Sequence, residues 1–289
     1  MPELPEVETV RRDLESRLLN KKIKAVEVLD LKLVGDLNKQ LTGSSFTEIL
    51  RRGKLLIFKS NQLGLFMLVH LKMTGQLIYL FKDQISAGGH SLSSHSFEKA
   101  VGGELPNKHT RVIITFTDSS RLFFNDVRKF GYIKLASEAE LDRLIAKNYG
   151  PEPLENLFDL AEFEAKLARR SINIKAALLD QKTVAGLGNI YVDEVLFEAG
   201  VKPQRSASSL KPAEVLKIHK AIKRILALAI KNRGTTFSNY VDGSGKKGNF
   251  SQKLKVYGRA NEKCVKCGSA IIKTKIAGRG THYCKVCQS

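Results

Sequence analysis

The sequence predicts an α+β protein: an N-terminal β-sandwich with flanking helices, then a helical domain that ends in a small cysteine-bearing β-hairpin. Three observations lead there. Eight short runs of strand-forming residues, punctuated by turn residues, occupy the stretch up to Leu135. A helical period replaces them between Asp159 and Asn232. All four cysteines fall within the last 26 of the 289 residues.

The chain is long enough for two domains with real cores, and 43% apolar with 27% charged residues is ordinary globular composition. Disordered and fibrous classes are excluded. The formal charge of +19, from 48 Lys+Arg against 29 Asp+Glu, points to a polyanionic partner. Nucleic acid is the default, ahead of an anionic membrane surface or charge that merely solubilises. The acidic N-terminus lacks an apolar signal core, and the most apolar run, Leu63 to Leu71, is too short to span a bilayer. A cytoplasmic protein is expected.

The first element is a helix. Pro5, followed by Glu6 and Glu8, reads as its first turn, and Val7, Val10, Leu14 and Leu18 share one face as far as about Leu19. If Met1 is removed, Pro2 carries a free secondary amine that titrates near about pH 8 and is partly nucleophilic at neutrality. Glu3 beside it could move protons. On its own, the stretch reads first as an ordinary capped helix with a solvated acidic turn.

Strands follow at Ile23 to Leu29, Phe46 to Leu50, Leu55 to Lys59, Leu65 to Leu71, Gln76 to Phe81, Arg111 to Phe116, Arg121 to Asn125 and Gly131 to Leu135. The segment Lys82 to Lys108 carries Ser, Gly, His90 and His95, with His109 at its edge, and shows no periodicity; it reads as an exposed flexible loop and not a metal site. The proline-rich Tyr149 to Leu154 marks a domain boundary.

Beyond it, helical patterns run through Leu160/Phe163/Leu167, Ile174/Ala177/Leu178, Ile190 to Phe197 and Leu210 to Ile230. Gly186-Leu187-Gly188-Asn189 permits a tight turn before a helix, which suits either phosphate binding or close helix packing. From Gly234 to Arg259 the chain is polar and glycine-rich, consistent with a recognition loop or a linker.

Cys264-x-x-Cys267 and Cys284-x-x-Cys287, 16 residues apart, supply two ligand pairs that complete a tetrahedral thiolate site for one zinc ion. Four thiolates leave no open position, so the zinc is expected to be structural. Ile271 to Ile276 and Thr281 to Tyr283 read as two strands joined by Ala277-Gly278-Arg279-Gly280, with Arg279 at the tip, where it could grip a phosphate.

Together these pieces resemble the formamidopyrimidine-DNA glycosylase family, with endonuclease VIII as the sister branch. The resemblance covers nearly the whole chain: Pro2-Glu3-Leu4-Pro5-Glu6-Val7-Glu8-Thr9-Val10-Arg11-Arg12, Arg51-Arg52-Gly53-Lys54, His70-Leu71-Lys72-Met73-Thr74-Gly75 and Arg128-Lys129-Phe130-Gly131. It continues through Gly150-Pro151-Glu152-Pro153-Leu154, Gly186-Leu187-Gly188-Asn189-Ile190-Tyr191, Val256-Tyr257-Gly258-Arg259 and the cysteine hairpin.

The resemblance implies a β-sandwich domain over residues 1–150, a helix–two-turn–helix domain over 151–258 and a zinc finger over 259–289, with damaged double-stranded DNA held between domains by a monomer. It implies a bifunctional glycosylase and abasic-site lyase of base excision repair that acts on oxidised purines. Pro2 would attack the sugar C1′, Glu3 would be the acid/base, and Lys54 and Arg279 would assist β- and δ-elimination. By itself Lys54 reads as a surface strand residue. His109, Arg128, Arg170, Lys175 and Asn189 would contact DNA. Met73, Arg128 and Phe130 would fill the gap left by the flipped base, although alone Met73 and Phe130 read as core residues.

The glycine-rich Asp242 to Asn249 would close over an oxidised purine. Val127 stands where the family usually has proline and Lys72 where it usually has glycine, which bears on wedge geometry and the preferred opposite base. An oxidised-pyrimidine preference and a non-catalytic zinc-bearing DNA-binding protein are the alternatives. Pro2, Glu3 and Lys54 separate catalysis from mere binding.

Overall fold

Helix α1 spans Leu4–Leu18, with Glu3 as its N-cap and proline in its first turn. The computed structural model describes residues 1–30, 37–82, 84–90, 101–235, 240–241 and 249–289. Val7, Val10, Leu14 and Leu18, four residues on one helical face, are all at most 3% exposed, and each such burial contributes about 1.5–3 kcal/mol. They pack into the core between two antiparallel sheets.

The strands are β1 (Ile23–Val28), β2 (Phe46–Arg52), β3 (Leu55–Ser60), β4 (Leu65–His70), β5 (Gly75–Phe81), β6 (Gln84–His90), β7 (Thr110–Phe116), β8 (Arg121–Asp126) and β9 (Tyr132–Ser137), with a short helix α2 at Asn38–Leu41. One sheet has the order β1-β7-β8-β5-β6-β10, where β10 is Tyr240–Val241, and the other β2-β3-β4-β9. Val112, Ile114, Leu122 and Phe124 of the first sheet share one core with Phe46, Leu56, Phe58, Met67 and Val69 of the second. This is the expected sandwich.

The expected loop at Lys82 to Lys108 is corrected. Gln84–His90 is a strand paired with β5, and Val101 packs with Ile78, Ile113 and Phe123 on the outer face of the six-stranded sheet. Glycines conceal the strand in the sequence, because Gly88 and Gly89 contribute no side chain to an alternating pattern. A Cβ at Gly88 would lie 2.5 Å from Val10 Cγ2, so α1 can cross this strand only at glycine. Residues 91–100, including His95, lie outside the described residues, as do 242–248 of the expected recognition loop.

Helix α3 (Glu138–Asn148) follows β9 and buries only Leu141, which is why no apolar stripe announced it. Helices α4 (Leu160–Ala168), α5 (Ile174–Leu179), α6 (Asn189–Ala199) and α7 (Pro212–Lys231) come next. Asp159 and Asn173 cap α4 and α5 by accepting from Glu162 and Ala176 backbone N–H groups. Strands β11 (Ile272–Ile276) and β12 (Arg279–Tyr283) form the terminal hairpin.

The chain forms two compact units, Met1–Lys147 with Asn232–Ser251, and Asn148–Lys231 with Gln252–Ser289. The described residues between Asn232 and Ser251, expected with the helical domain, group instead with the sandwich. Thr235 N–H donates to Glu6 and β10 pairs with β6, which accounts for the difference. No helix among the described residues is long and apolar enough to cross a membrane.

Candidate functional site

Pro2 and Glu3 are buried at the head of α1, while Met1 outside them is 52% exposed. The Glu6 carboxylate holds this end in place. Its Oε2 accepts from Glu3 N–H at 2.9 Å, and its Oε1 accepts from Thr235 N–H at 2.7 Å. Gly234, at φ 78°, has no room for a side chain, since a Cβ would stand 2.8 Å from Glu6 Oε1. The sequence quoted Glu6 only as a helix-start signal; its spacing of three from Glu3 was the available hint.

Lys54 sits in the β2–β3 turn behind left-handed Gly53 and is 5% exposed. The expectation of a surface strand residue is corrected, because the turn directs it inward. Its charge reaches His70. Burial, then the charges of Lys72 and Lys54, push the His70 pKa down to about 3, so its ring is neutral at pH 7. Nδ1 of His70 accepts from Lys72 N–H at 3.0 Å, which supports Lys72 in a left-handed conformation at φ 49°.

That conformation belongs to the turn 71–75, which presents Met73 at 39% exposure. The turn 126–131 presents Arg128 and, at 53% exposure, Phe130. Neither Met73 nor Phe130 is a core residue, contrary to the reading of each alone. The structure brings the three together: Arg128 Nη1 is 3.4 Å from Met73 Sδ, and the guanidinium lies 4.8 Å from the Phe130 ring centroid. His109 joins the group through its carbonyl, which accepts from Asp126 N–H at 2.9 Å. Burial, followed by Lys108 and Arg111, lowers the His109 pKa.

A second group surrounds the terminal hairpin. Ala277 and Gly278 both have positive φ, giving a two-residue turn with Arg279 at the first position of β12, so the tip is tighter than the expected four residues. Arg279 is exposed. The carbonyl of Gly280 beside it accepts from Asn189 Nδ2 at 2.9 Å and Lys175 Nζ at 3.2 Å.

Lys175 is completely buried and paired with Asp193 at 2.7 Å, and the other oxygen of Asp193 accepts from His282 N–H at 2.8 Å. The expectation that Lys175 touches DNA directly therefore meets a side chain committed to holding the hairpin. Arg170 is half-buried and bonds Asp180 at 2.6 Å. Burial would raise the Asp180 pKa, but Lys182 N–H and Arg170 outweigh it and hold the carboxyl below its usual range. Asp193, inside a helical segment, and Asp180, just after one, carry no sequence signal beyond being acidic.

The four cysteine sulfurs lie within 4.8 Å of one another. Tetrahedral zinc, with Zn–S near about 2.3 Å, needs sulfurs about 3.8 Å apart. Cys264 and Cys287 are at 3.8 Å and Cys267 and Cys284 at 3.5 Å. Backbone N–H groups of Lys266 and Cys287 point at the sulfurs of Cys264 and Cys284, as suits thiolates. The residues fit one structural zinc ion, packed on Phe197, Val256 and Ile271.

Three family models match in order: the formamidopyrimidine-DNA glycosylase N-terminal domain over residues 1–133, its H2TH domain over 149–240, and the zinc finger found in FPG and IleRS over 261–289. The chain is 40% identical over 297 residues to formamidopyrimidine-DNA glycosylase from Desulfitobacterium hafniense, with all of both chains covered. It is 44% identical over 295 residues to that from Shouchella clausii, covering 100% of this chain and 99% of the other.

Among solved structures it resembles a Lactococcus lactis FPG variant bound to Fapy-dG-containing DNA, with a TM-score of 0.87 and 38% identity over 100% of both chains. Lactococcus lactis Fpg bound to abasic-site DNA matches with a TM-score of 0.85 and 38% identity over 99% of both. A full-length likeness at these identities, on a sandwich, helical segment and four-cysteine hairpin in the same order, places the chain in the formamidopyrimidine-DNA glycosylase family.

Proposed function

We infer that the protein is a DNA glycosylase of base excision repair that removes oxidised purines, formamidopyrimidines and 8-oxoguanine among them, from duplex DNA and cuts the strand at the resulting abasic site. The observation that carries this is the full-length likeness to structures of a relative holding Fapy-dG and abasic-site DNA. The charge of +19 and the bacterial relatives support a place on chromosomal DNA in a bacterial cytoplasm, where the protein would act as a monomer.

In this reading Pro2 is the nucleophile once Met1 is removed. Its nitrogen lone pair attacks C1′ of the damaged nucleotide, and the C1′–N bond breaks with its electrons leaving on the protonated base. Opening of the sugar, with Glu3 as proton donor and acceptor, gives an iminium between Pro2 and C1′. The iminium makes a C2′ proton acidic; its loss expels the 3′ phosphate, and a second elimination expels the 5′ phosphate. Lys54 serves the first elimination and Arg279 the second, gripping phosphate as it does so.

The Glu6 clamp supports this assignment by tying the backbone of Glu3 to that of Thr235. His109, Arg170 and Asn189 take the DNA backbone, with Asn189 at the N-terminus of its helix, the end that favours an anion. Met73, Arg128 and Phe130 fill the gap left by the flipped base, partly offsetting the few kcal/mol, roughly, that unstacking costs. Zinc stabilises the hairpin that carries Arg279.

Borohydride added to the protein with an 8-oxoguanine duplex tests this. A covalent complex is expected, and stronger than with an oxidised-pyrimidine duplex. No complex with either the lesion or an abasic duplex overturns the lyase reading.

A further inference from the structure

Asp126 is completely buried at the end of β8, and every polar atom it has is used to hold a neighbour. One carboxylate oxygen accepts from the Thr74 hydroxyl and from Arg128 N–H at 3.2 Å; the other accepts from Gly131 N–H at 2.6 Å. Its N–H donates to the His109 carbonyl, and its own carbonyl accepts from Arg111 Nε at 3.1 Å and Nη2 at 2.9 Å. Thr74 adds a second link, since its oxygen accepts from Arg128 N–H at 3.0 Å. Thr74 is 7% exposed and belongs to the turn that carries Met73.

Two turns distant in sequence are thus joined at their bases by one buried side-chain pair. Gly131 is required at this joint, because a Cβ there would lie 3.0 Å from the Asp126 carboxylate. The tips of the turns, Met73, Arg128 and Phe130, are exposed, as are Val127 and Lys129 on either side of Arg128.

We propose that the Thr74–Asp126 joint is a positioning device that locks the turns 71–75 and 126–131 together, so that Met73, Arg128 and Phe130 meet DNA as one preformed wedge. The proposal rests on reading these three residues as the ones that fill the gap. A wedge must enter the stack while the damaged base leaves it, and side chains already ordered lose less freedom on insertion. Thr74 and Asp126 touch no DNA in this account; they act through the three tips. Val127, where the family usually has proline, gives the turn 126–131 no fixed φ at that point, so the joint supplies the rigidity.

The test is single-turnover excision of 8-oxoguanine from a duplex with 2-aminopurine beside the lesion, whose fluorescence reports base extrusion, run next to cleavage of a duplex with a preformed abasic site. Thr74→Val keeps the volume and removes the hydroxyl. It is expected to slow extrusion and excision by about tenfold, while abasic cleavage, which has no base to extrude, stays within about twofold and Thr74→Ser recovers to within about twofold.

Wild-type excision by Thr74→Val, equal slowing of both substrates, or failure of Thr74→Ser to recover overturns the joint. The double variant Met73→Ala/Phe130→Ala separates this from the reading beneath it. Slow extrusion there with a normal Thr74→Val leaves the wedge standing without the joint; normal extrusion removes the wedge and the joint together.

Discussion

The turns around Asp126 and the hairpin around Asp193 both gather residues expected to meet DNA, and they use a buried acid in opposite ways. The Asp126 carboxylate binds backbone N–H groups and a threonine and pairs with no cation among the described residues, and Arg128 beside it stays exposed. Asp193 binds the cation itself, so Lys175 is buried and a backbone carbonyl beside Arg279 receives its remaining donor capacity. The family resemblance implies a DNA contact for Arg128 and Lys175 alike. Burial separates the residue proposed to contact DNA from the one proposed to support such a contact.

The largest effect expected on this comparison is zinc removal, which acts on the hairpin alone. Structural zinc supplies on the order of 10 kcal/mol to small sites, so chelation should unfold residues 264–289 and lower DNA affinity on the order of a hundredfold, read by fluorescence anisotropy. Unchanged affinity after the zinc is gone contradicts the hairpin's role as the holder of Arg279.

Next comes the pair of single substitutions that pits support against contact. Lys175→Met leaves Asp193 buried without its cation and should cost roughly 3–5 kcal/mol in thermal or denaturant unfolding. Arg128→Ala should stay within about 0.5 kcal/mol in stability, yet slow excision while leaving the salt dependence of binding unchanged. If Lys175→Met is stable and instead shallows the salt dependence, Lys175 is a DNA contact and the contrast fails.

A smaller effect sharpens the wedge side through pH. The folded-state pKa of His70 is lowered to about 3 from an ordinary 6.5. The unfolded chain therefore takes up a proton first as pH falls. This contribution to stability is fully present above about pH 6.5 and is lost between about 6.5 and 3, by at most about 1.4 kcal/mol per pH unit. His70→Asn keeps an acceptor for Lys72 N–H and should flatten the unfolding free energy against pH across that window; a slope equal to wild type contradicts a neutral buried imidazole.

Much of this fold was legible because its signals are local. Short strand-forming runs between turn residues located eight strands, a helical stripe found α1, and cysteine spacing found the zinc site. What was not legible depends on partners distant in the chain. The glycines that let β6 pass under Val10 look like loop residues until the helix above them is placed. Lys54 and Lys175 look like surface lysines because charge suggests exposure, and only the turn at Gly53 and the ion pair with Asp193 reverse that. Thr74 falls inside one family motif and Asp126 just before another, but they are 52 residues apart and no spacing rule pairs them.

The measurement closest to the central claim is peptide mass mapping of the borohydride-trapped complex with 8-oxoguanine DNA. The account predicts the sugar adduct on the nitrogen of Pro2 in chains that have lost Met1, and none in chains that retain it. An adduct on Lys54 or another lysine, or equal trapping with Met1 in place, would contradict it.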